Sequence, residues 1–275
     1  MKKLTPFKFK QFVVHHDRCS MKVGTDAVLL GSWVNVLGAR HILEVGTGSG
    51  VISLILAQRT LPDAKLEAIE IEQEDAEQAK ENIAQSPWPK KIKVHHQSLQ
   101  TFTGNKTFDL VVSNPPFFIN SQLPPSSKRS QARHTGSLSY SELIIGAGKL
   151  LNTSGRLAVV LPFEEGKQFQ IVAKENNFHV VRQLAFFSRQ GKPQERWLFE
   201  FAFIPKINSA ETLILHETDE EWSEDYKKLT HEFYLKRVHP KCRVIRNVPT
   251  ERNFSISTFS THQSLRRSVS WVETK

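Results

Sequence analysis

The sequence predicts an α/β protein built on a mostly parallel sheet, and three observations carry that prediction. From His41 onward, short β-branched runs alternate with segments of helix length, the pattern of crossover connections between parallel strands. A glycine-rich turn, "EVGTGSG", stands directly between the first of these strands and the helix after it. The last two apolar runs, "HVVRQLAFFS" and "RWLFEFAF", are separated only by the turn "RQGKPQE", so a hairpin there adds an antiparallel edge.

Taken in order, "PFKFKQFVV" reads as a strand with Phe7 and Phe9 on one face and Lys8 and Lys10 on the other. "VGTDAVLLGSW" reads as a turn, a Thr25 cap and a short helix. "HILEVG" is a buried strand, and "SGVISLILAQR" has helical apolar spacing. "KLEAIEI" is a strand, and Glu74 to Ile83 a helix with Ala76, Ala79 and Ile83 on one side. "KIKVHH" and "FDLVVSN" are strands, "SYSELIIGAGKLL" a helix opened by a serine cap, and "GRLAVVLP" a strand. A further helix around Phe169 to Glu175 precedes the final hairpin.

The chain has 275 residues, 39% of them apolar and 24% charged, which is ordinary for a globular protein with a full core. Its start is basic but lacks the apolar segment of a signal peptide, and no stretch approaches a membrane span, so a cytoplasmic protein is expected. Cys19 and Cys242 form neither a disulfide framework nor a paired zinc spacing. In "HHDRC", His15, His16 and Cys19 lack a local fourth ligand, so no metal is expected. The net charge of +9 points to an anionic partner, most economically a nucleic acid. Residues 237–275 hold eight Lys/Arg against two Asp/Glu, so most of the excess lies in a Ser/Thr-rich tail with no sustained period. Disorder is expected there.

Gly46, Gly48 and Gly50 let the backbone turn sharply and come close to a ligand at the carboxyl end of a strand. Val51 stands where the dinucleotide fingerprint needs glycine or alanine, and the lysine of a P-loop is absent. Glu70, at the end of the next strand, is placed to accept hydrogen bonds from a ribose diol. With the acidic Glu44 before the turn and no phosphate-binding lysine, the ligand suggested is a nucleoside without pyrophosphate. S-adenosylmethionine fits that description.

"VVSNPPFF" ends a strand in an unusually rigid way, since Pro115 and Pro116 fix the backbone and remove donors. An exocyclic amine on a base, or a carboxamide nitrogen, is a poor nucleophile because its lone pair is delocalised. The Asn114 side-chain oxygen and the Pro115 carbonyl, held fixed, can accept its two N–H groups and favour the pyramidal geometry that frees the lone pair. Phe117 offers a face on which a planar base can stack, a contact worth about 1 to 3 kcal/mol.

From Ile42 to Phe203 the spacing resembles the Rossmann-like class I methyltransferase fold, which implies a seven-stranded sheet with an antiparallel final strand. "NPPF" looks like the catalytic motif of amino-group methyltransferases acting on adenine N6, guanine N2 or the glutamine side chain. Phe117, where adenine and glutamine enzymes more commonly carry Tyr, leaves the acceptor open. "FKFKQFVVHHDRCSMKVGTDAVLLGSW", "NPPFF", "QARHT", "ENIAQSPW" and "EFYLK" together resemble the bacterial tRNA1(Val) adenine-37 N6-methyltransferase family from about Phe7 to Lys236. The resemblance implies an S-adenosylmethionine enzyme acting on N6 of the adenine beside the anticodon of a valine tRNA. It also implies a catalytic turn of Asn114, Pro115, Pro116 and Phe117. Cofactor contacts are implied at Lys22, Thr25, Asp26, Glu44, Gly46, Gly48, Gly50, Glu70, Ile71, Ser98, Leu99 and Asn114, with Thr25 and Asp26 near the methionine end. Ser98 stands where the family often has an Asp that accepts from the cofactor's adenine amine.

The expected organisation is an N-terminal extension over 1–40 packing on the core, a catalytic domain over 41–236, and the basic tail. The segment from Ile119 to Gly136 follows the catalytic turn, and its Lys128, Arg129, Arg133 and His134 are candidates to grip phosphates beside a flipped adenine. Lys8, Lys10 and Arg18 are candidates to extend that patch. The partner expected is tRNA, the chain is expected to be a monomer, and no membrane partner is foreseen. Rival readings are a guanine-N2 methyltransferase of rRNA, a glutamine methyltransferase, and an RNA-binding module with an inactive cofactor fold, to which Ser98 points.

Overall fold

Ten strands and six helices are assigned among the residues that a computed structural model of the chain describes: 5–104, 107–116, 138–218 and 221–235. The expectations for Phe117, for Lys128, Arg129, Arg133 and His134, and for the tail lie outside these residues. In chain order the strands are β1 (Phe7–Lys8), β2 (Val13–Val14), β3 (His41–Val45), β4 (Lys65–Glu70), β5 (Ile92–His96), β6 (Phe108–Ser113), β7 (Leu151–Pro162), β8 (His179–Arg189), β9 (Arg196–Ala202) and β10 (Ser209–His216). The helices are α1 (Thr25–Trp33), α2 (Val51–Arg59), α3 (Gln73–Ala84), α4 (Tyr140–Leu150), α5 (Phe163–Glu175) and α6 (Glu224–Thr230).

Eight strands form one sheet in the order β10-β8-β9-β7-β6-β3-β4-β5. Among them only β9 runs antiparallel to its neighbours. The α/β class and the mostly parallel sheet follow the expectation, while two details differ. The sheet has eight strands rather than seven, because Ser209–His216 returns after β9 to lie parallel to β8, with Leu213 turned into the core. The antiparallel strand is also not an edge: β9 is inserted between β7 and β8, and its burial there agrees with the run "LFEFA", in which only Glu200 is polar.

Helices cover both faces. On one, α1 and α2 pack with β3, β6 and β8 residues around Leu29, Leu30, Ile55 and Phe186. On the other, α4 and α5 bury Leu143, Ile144 and Phe169 against Leu43, Val111, Phe199 and Phe201. α2 is apolar almost all round because α1 closes over its outer side. Gly31 permits that approach, since a Cβ there would lie 2.9 Å from Ile55 Cγ2. The buried carbonyls of Gly31 and Val34 at the end of α1 are met by the Arg59 guanidinium, which donates to both at 2.7 Å. α4 opens as expected on Ser139, with a full capping box to Glu142 that contributes about 1 kcal/mol.

Two local readings are corrected near the N-terminus. The single expected strand is instead a short hairpin, β1 against β2, turned by Phe9 N–H donating to Phe12 C=O. Phe9 and Phe12 stack at 4.5 Å inside the core and Phe9 bridges to Tyr234, so burying both rings wins over extension. Helix α1 is capped by Gly24 rather than Thr25, which is its first helical residue and makes no side-chain cap.

Gly31→Ala tests the α1–α2 contact. It should lower the unfolding free energy by about 1 to 3 kcal/mol through overpacking against Ile55, read as a lower denaturant midpoint at unchanged slope.

Candidate active site

The order β6-β3-β4-β5 sets four parallel carboxyl ends side by side, and the register aligns Ser113, Val45 and Ile69 in one row. The chain leaves that row at Asn114, Gly46 and Glu70. Ser113 Oγ donates to the Val45 carbonyl at 2.9 Å, tying the end of β6 to the start of the glycine turn. Gly46 N–H and Thr47 N–H both donate to the Ile69 carbonyl, at 2.9 and 3.1 Å, so the turn is also pinned to β4.

Gly46, Gly48 and Gly50 all have positive φ, between 53° and 83°. A Cβ at Gly46 or Gly48 would meet nothing within 4 Å, so these glycines leave an open face of backbone. Gly50 is different: its Cβ would touch Ala79, where α2 packs on α3.

Two carboxylates hold the turn. Glu44 is 1% exposed beneath it, and its Oε2 accepts from Thr47 Oγ1 at 2.7 Å, from Ser53 N–H at 2.9 Å and from Ser53 Oγ. Its Oε1 has no partner, and burial pushes the carboxyl up to about 7. Glu70 Oε2 accepts from Gly48 N–H at 2.8 Å, and its Oε1 from Ile71 and Glu72 N–H at 2.9 and 3.1 Å. Burial raises the Glu70 carboxyl against the pull of these bonds.

Asn114 is half-buried with its Oδ1 buried and unpartnered, Pro115 is buried and Pro116 exposed. A buried amide oxygen without a donor costs about 1 to 3 kcal/mol, so its accepting capacity is left unused.

The N-terminal segment is roped to α3. Asp75 accepts from Ser20 N–H and Oγ at 3.0 and 2.7 Å. The Asn82 amide bonds both ways with the His15 backbone and donates to the Ser49 carbonyl at 2.9 Å, reaching the glycine turn itself. Lys22 Nζ donates to the carbonyls of His16, Asp17 and Cys19, closing that segment on its own backbone. Cys19 is buried there, its thiol raised to about 12 by desolvation and then by the Asp75 and Glu70 carboxylates. Thr25 and Asp26 open α1, and Asp26 pairs at 2.9 Å with Arg196, which sits opposite Pro162 at the carboxyl end of β7.

Ile71 is exposed next to Glu70, Leu99 is buried, and Ser98 Oγ is 3.0 Å from Thr101 Oγ1 in the turn after β5. Among the basic candidates, only Lys8, Lys10 and Arg18 lie in the described residues. Arg18 pairs with Glu81 and reaches Gln78 on α3. Lys10 donates to the His231 carbonyl, beside Glu232, which Gln58 near the end of α2 contacts, so Lys10 lies away from the glycine turn. Lys8 is exposed on the same hairpin. No group of three or more potential metal ligands occurs among the described residues. No helix among them is long and apolar enough to cross a membrane.

Sequence reasoning missed Thr47, Ser53, Asp75, Asn82 and Arg196. The available signal was a polar residue amid an apolar helical face, as Asn82 is between Ala79 and Ile83, but such residues read equally as a solvated side.

A family model described as methyltransferase small domain matches residues 19–187. A tRNA1(Val) (adenine(37)-N6)-methyltransferase of Bacteroides thetaiotaomicron is 44% identical over 83% of this chain and 97% of its own length. The protein of the same description from Tolumonas auensis is 41% identical over 84% and 97%. The chain belongs to the tRNA1(Val) (adenine(37)-N6)-methyltransferase family. The crystal structure of a predicted O-methyltransferase from Agrobacterium tumefaciens shares the fold, with a TM-score of 0.61 at 21% identity over 76% of this chain and 96% of that one. Within this methyltransferase, the glycine turn, Glu70 and Asn114 occupy adjacent carboxyl ends of one sheet, the place where open α/β sheets bind ligands.

Glu44 gives a pH signature. Its folded carboxyl, near 7, holds a proton that the unfolded chain, near 4.5, releases, so its effect is to make stability fall as pH rises from about 4.5 to 7 and then level off. Glu44→Gln keeps an acceptor for Thr47 and Ser53 and should remove that fall; chemical denaturation at several pH values across the window checks it.

Proposed function

We propose that this chain transfers a methyl group from S-adenosylmethionine to the exocyclic N6 of adenine 37 in tRNA1(Val). The observation that carries the reading is the buried, unpartnered Oδ1 of Asn114, fixed at the strand end beside an open glycine turn. The activity for which the relatives are named supplies the acceptor and the tRNA.

The residues present fit such a donor. The bare backbone at Gly46 and Gly48 accommodates a ligand in close approach. Glu70 Oε2 accepts only one backbone bond, so it keeps an acceptor site for a ribose hydroxyl. Ile71, Ser98 and Leu99 flank the nucleoside end, Thr25 and Asp26 the methionine end, and Glu44 and Lys22 act by holding the turn and the 16–22 segment. S-adenosylmethionine supplies an electrophilic methyl on a positively charged sulfonium.

The chain's part is to prepare the amine. Asn114 Oδ1 and the Pro115 carbonyl accept its two N–H groups, favouring a pyramidal nitrogen with an available lone pair. No strong base is needed beforehand, because the nitrogen sheds its proton once it carries the new methyl. Phe117 stacks the base, and Lys128, Arg129, Arg133 and His134 grip neighbouring phosphates.

Incubation with labelled methyl donor and bulk tRNA should yield N6-methyladenosine in one valine tRNA, whereas N2-methylguanosine or methylated glutamine would refute the reading. Asn114→Ala should cut transfer on the order of 100-fold or more while leaving donor affinity, by calorimetry, nearly unchanged. Equal loss of both would remove Asn114 from the proposed role.

A further inference from the structure

Asp75, Gln78 and Asn82 recur along α3 at spacings of three and four, so they form one polar stripe beside the apolar Ala76, Ala79 and Ile83. All three are buried, and each is met by a residue of the N-terminal segment. That segment runs antiparallel to α3. His15 N–H donates to Asn82 Oδ1 at 2.9 Å, Arg18 Nε to Gln78 Oε1 at 3.3 Å, and Ser20 N–H to Asp75 Oδ1 at 3.0 Å.

Residues 15–24 form neither strand nor helix, so their backbone depends on side chains for partners. The amides of His15 and Ser20 end on α3, and that of Val23 ends on His16 Nδ1 at 3.0 Å. A seam of hydrogen bonds opens more readily than an apolar one, because water takes over the same donors and acceptors.

Asn82 is where the seam reaches the glycine turn. Its amide hydrogens go to the His15 carbonyl at 2.7 Å and the Ser49 carbonyl at 2.9 Å. Ser49 stands between Gly48 and Gly50, so one side chain sets the segment against the open backbone of the turn. The segment also passes close to Glu70, whose charge acts on the Cys19 thiol.

We propose that residues 15–23 are a strap on the donor site, latched to α3 by the polar stripe, and that Asn82 is the positioning residue that fixes the strap against the glycine turn. Donor and strap then stabilise each other: S-adenosylmethionine binds tightly when the strap is latched, and bound donor keeps it latched. The donor enters and its product leaves when the seam opens. The inference rests on the reading that S-adenosylmethionine is the donor, and it deepens that reading by naming what controls access to it.

The test uses the full chain, with S-adenosylhomocysteine as the probe, calorimetry for its affinity and amide hydrogen exchange read residue by residue. In the wild type, probe at about a hundred times its dissociation constant should slow exchange at His15 and Ser20 by at least ~10-fold, the ceiling being ~100-fold for a ligand that binds the latched form alone. Asn82→Ala should weaken probe binding about tenfold. It should also speed exchange at Ser20, whose own partner Asp75 is untouched, beyond any change at Leu43 and Val45 in β3. The KM for donor should rise while kcat and the KM for tRNA stay as in the wild type. Should Asn82→Ala fail to fold, Ser20→Ala makes the same comparison from the exposed side of the seam. It loses the Oγ bond to Asp75 and keeps the N–H bond, so probe binding about threefold weaker is expected. No slowing in the wild type, unchanged probe affinity in the folded variants, or exchange at Ser20 and in β3 rising by the same factor overturns the strap. Probe binding needs no RNA, so the two readings fail separately. Weakened variants of a protein that makes N2-methylguanosine would uphold the strap and sink the adenine assignment, and N6-methyladenosine from variants with unchanged donor affinity would do the reverse.

Discussion

The turn from Gly46 to Gly50 is clamped between two carboxylates, and the geometry of the candidate active site depends on that clamp. Glu44 supports it from below through Thr47 and Ser53, and Glu70 holds it from the side through the Gly48 N–H. Glycine at these positions is demanded by positive φ, and the open backbone that results is what a ligand would approach. Placing a carboxylate 1% exposed under a turn is costly, as the raised Glu44 carboxyl shows. The expense is tolerated because three donors converge on one of its oxygens, and because those donors belong to the turn and to the first residues of α2.

The same clamp organises the surrounding chain. The β4 strand that ends in Glu70 lends the Ile69 carbonyl to the turn, and the helix after it carries Asp75 and Asn82, which bind the N-terminal segment. Residues 15–24 are thereby brought beside Glu70, with Cys19 close enough to feel its charge. On the other side, Ser113 ties β6 to Val45, so Asn114 is set relative to the glycines by backbone register and one hydroxyl. Few long-range contacts are needed to assemble the site, since adjacent parallel strands deliver its parts to one row.

Much of this was legible along the chain. Alternating strands and helices, the three glycines, Glu70 and the Asn-Pro-Pro turn each carry a local physical reason: period, positive φ, a strand end and fixed φ. What was not legible is which partner each polar group takes. Thr25 reads as a cap, yet Gly24 occupies the position. Lys22 reads as a ligand contact, yet its ammonium is occupied by three carbonyls of its own loop. Arg18 reads as a cation for RNA, and the fold adds an exposed pairing with Glu81 that its position in the chain does not announce. Arg18 meets a partner 63 residues away while Lys22 is closed by carbonyls three to six residues away, and neither choice shows in local periodicity.

The amino-acid sequence by itself determined the fold class, the positions of the strand ends and the residue types at the turns. These depend on local periodicity and on backbone preferences that each residue carries with it. Tertiary structure alone decided that β9 is interior and that β10 adds an eighth strand, because insertion into a sheet is a choice among edges. It alone decided that Glu44 lies beneath the turn while Glu70 lies beside it, and that Asn114 keeps a buried oxygen unpartnered. Those outcomes follow from which strands become neighbours, and neighbourhood in a sheet is a property of the whole chain.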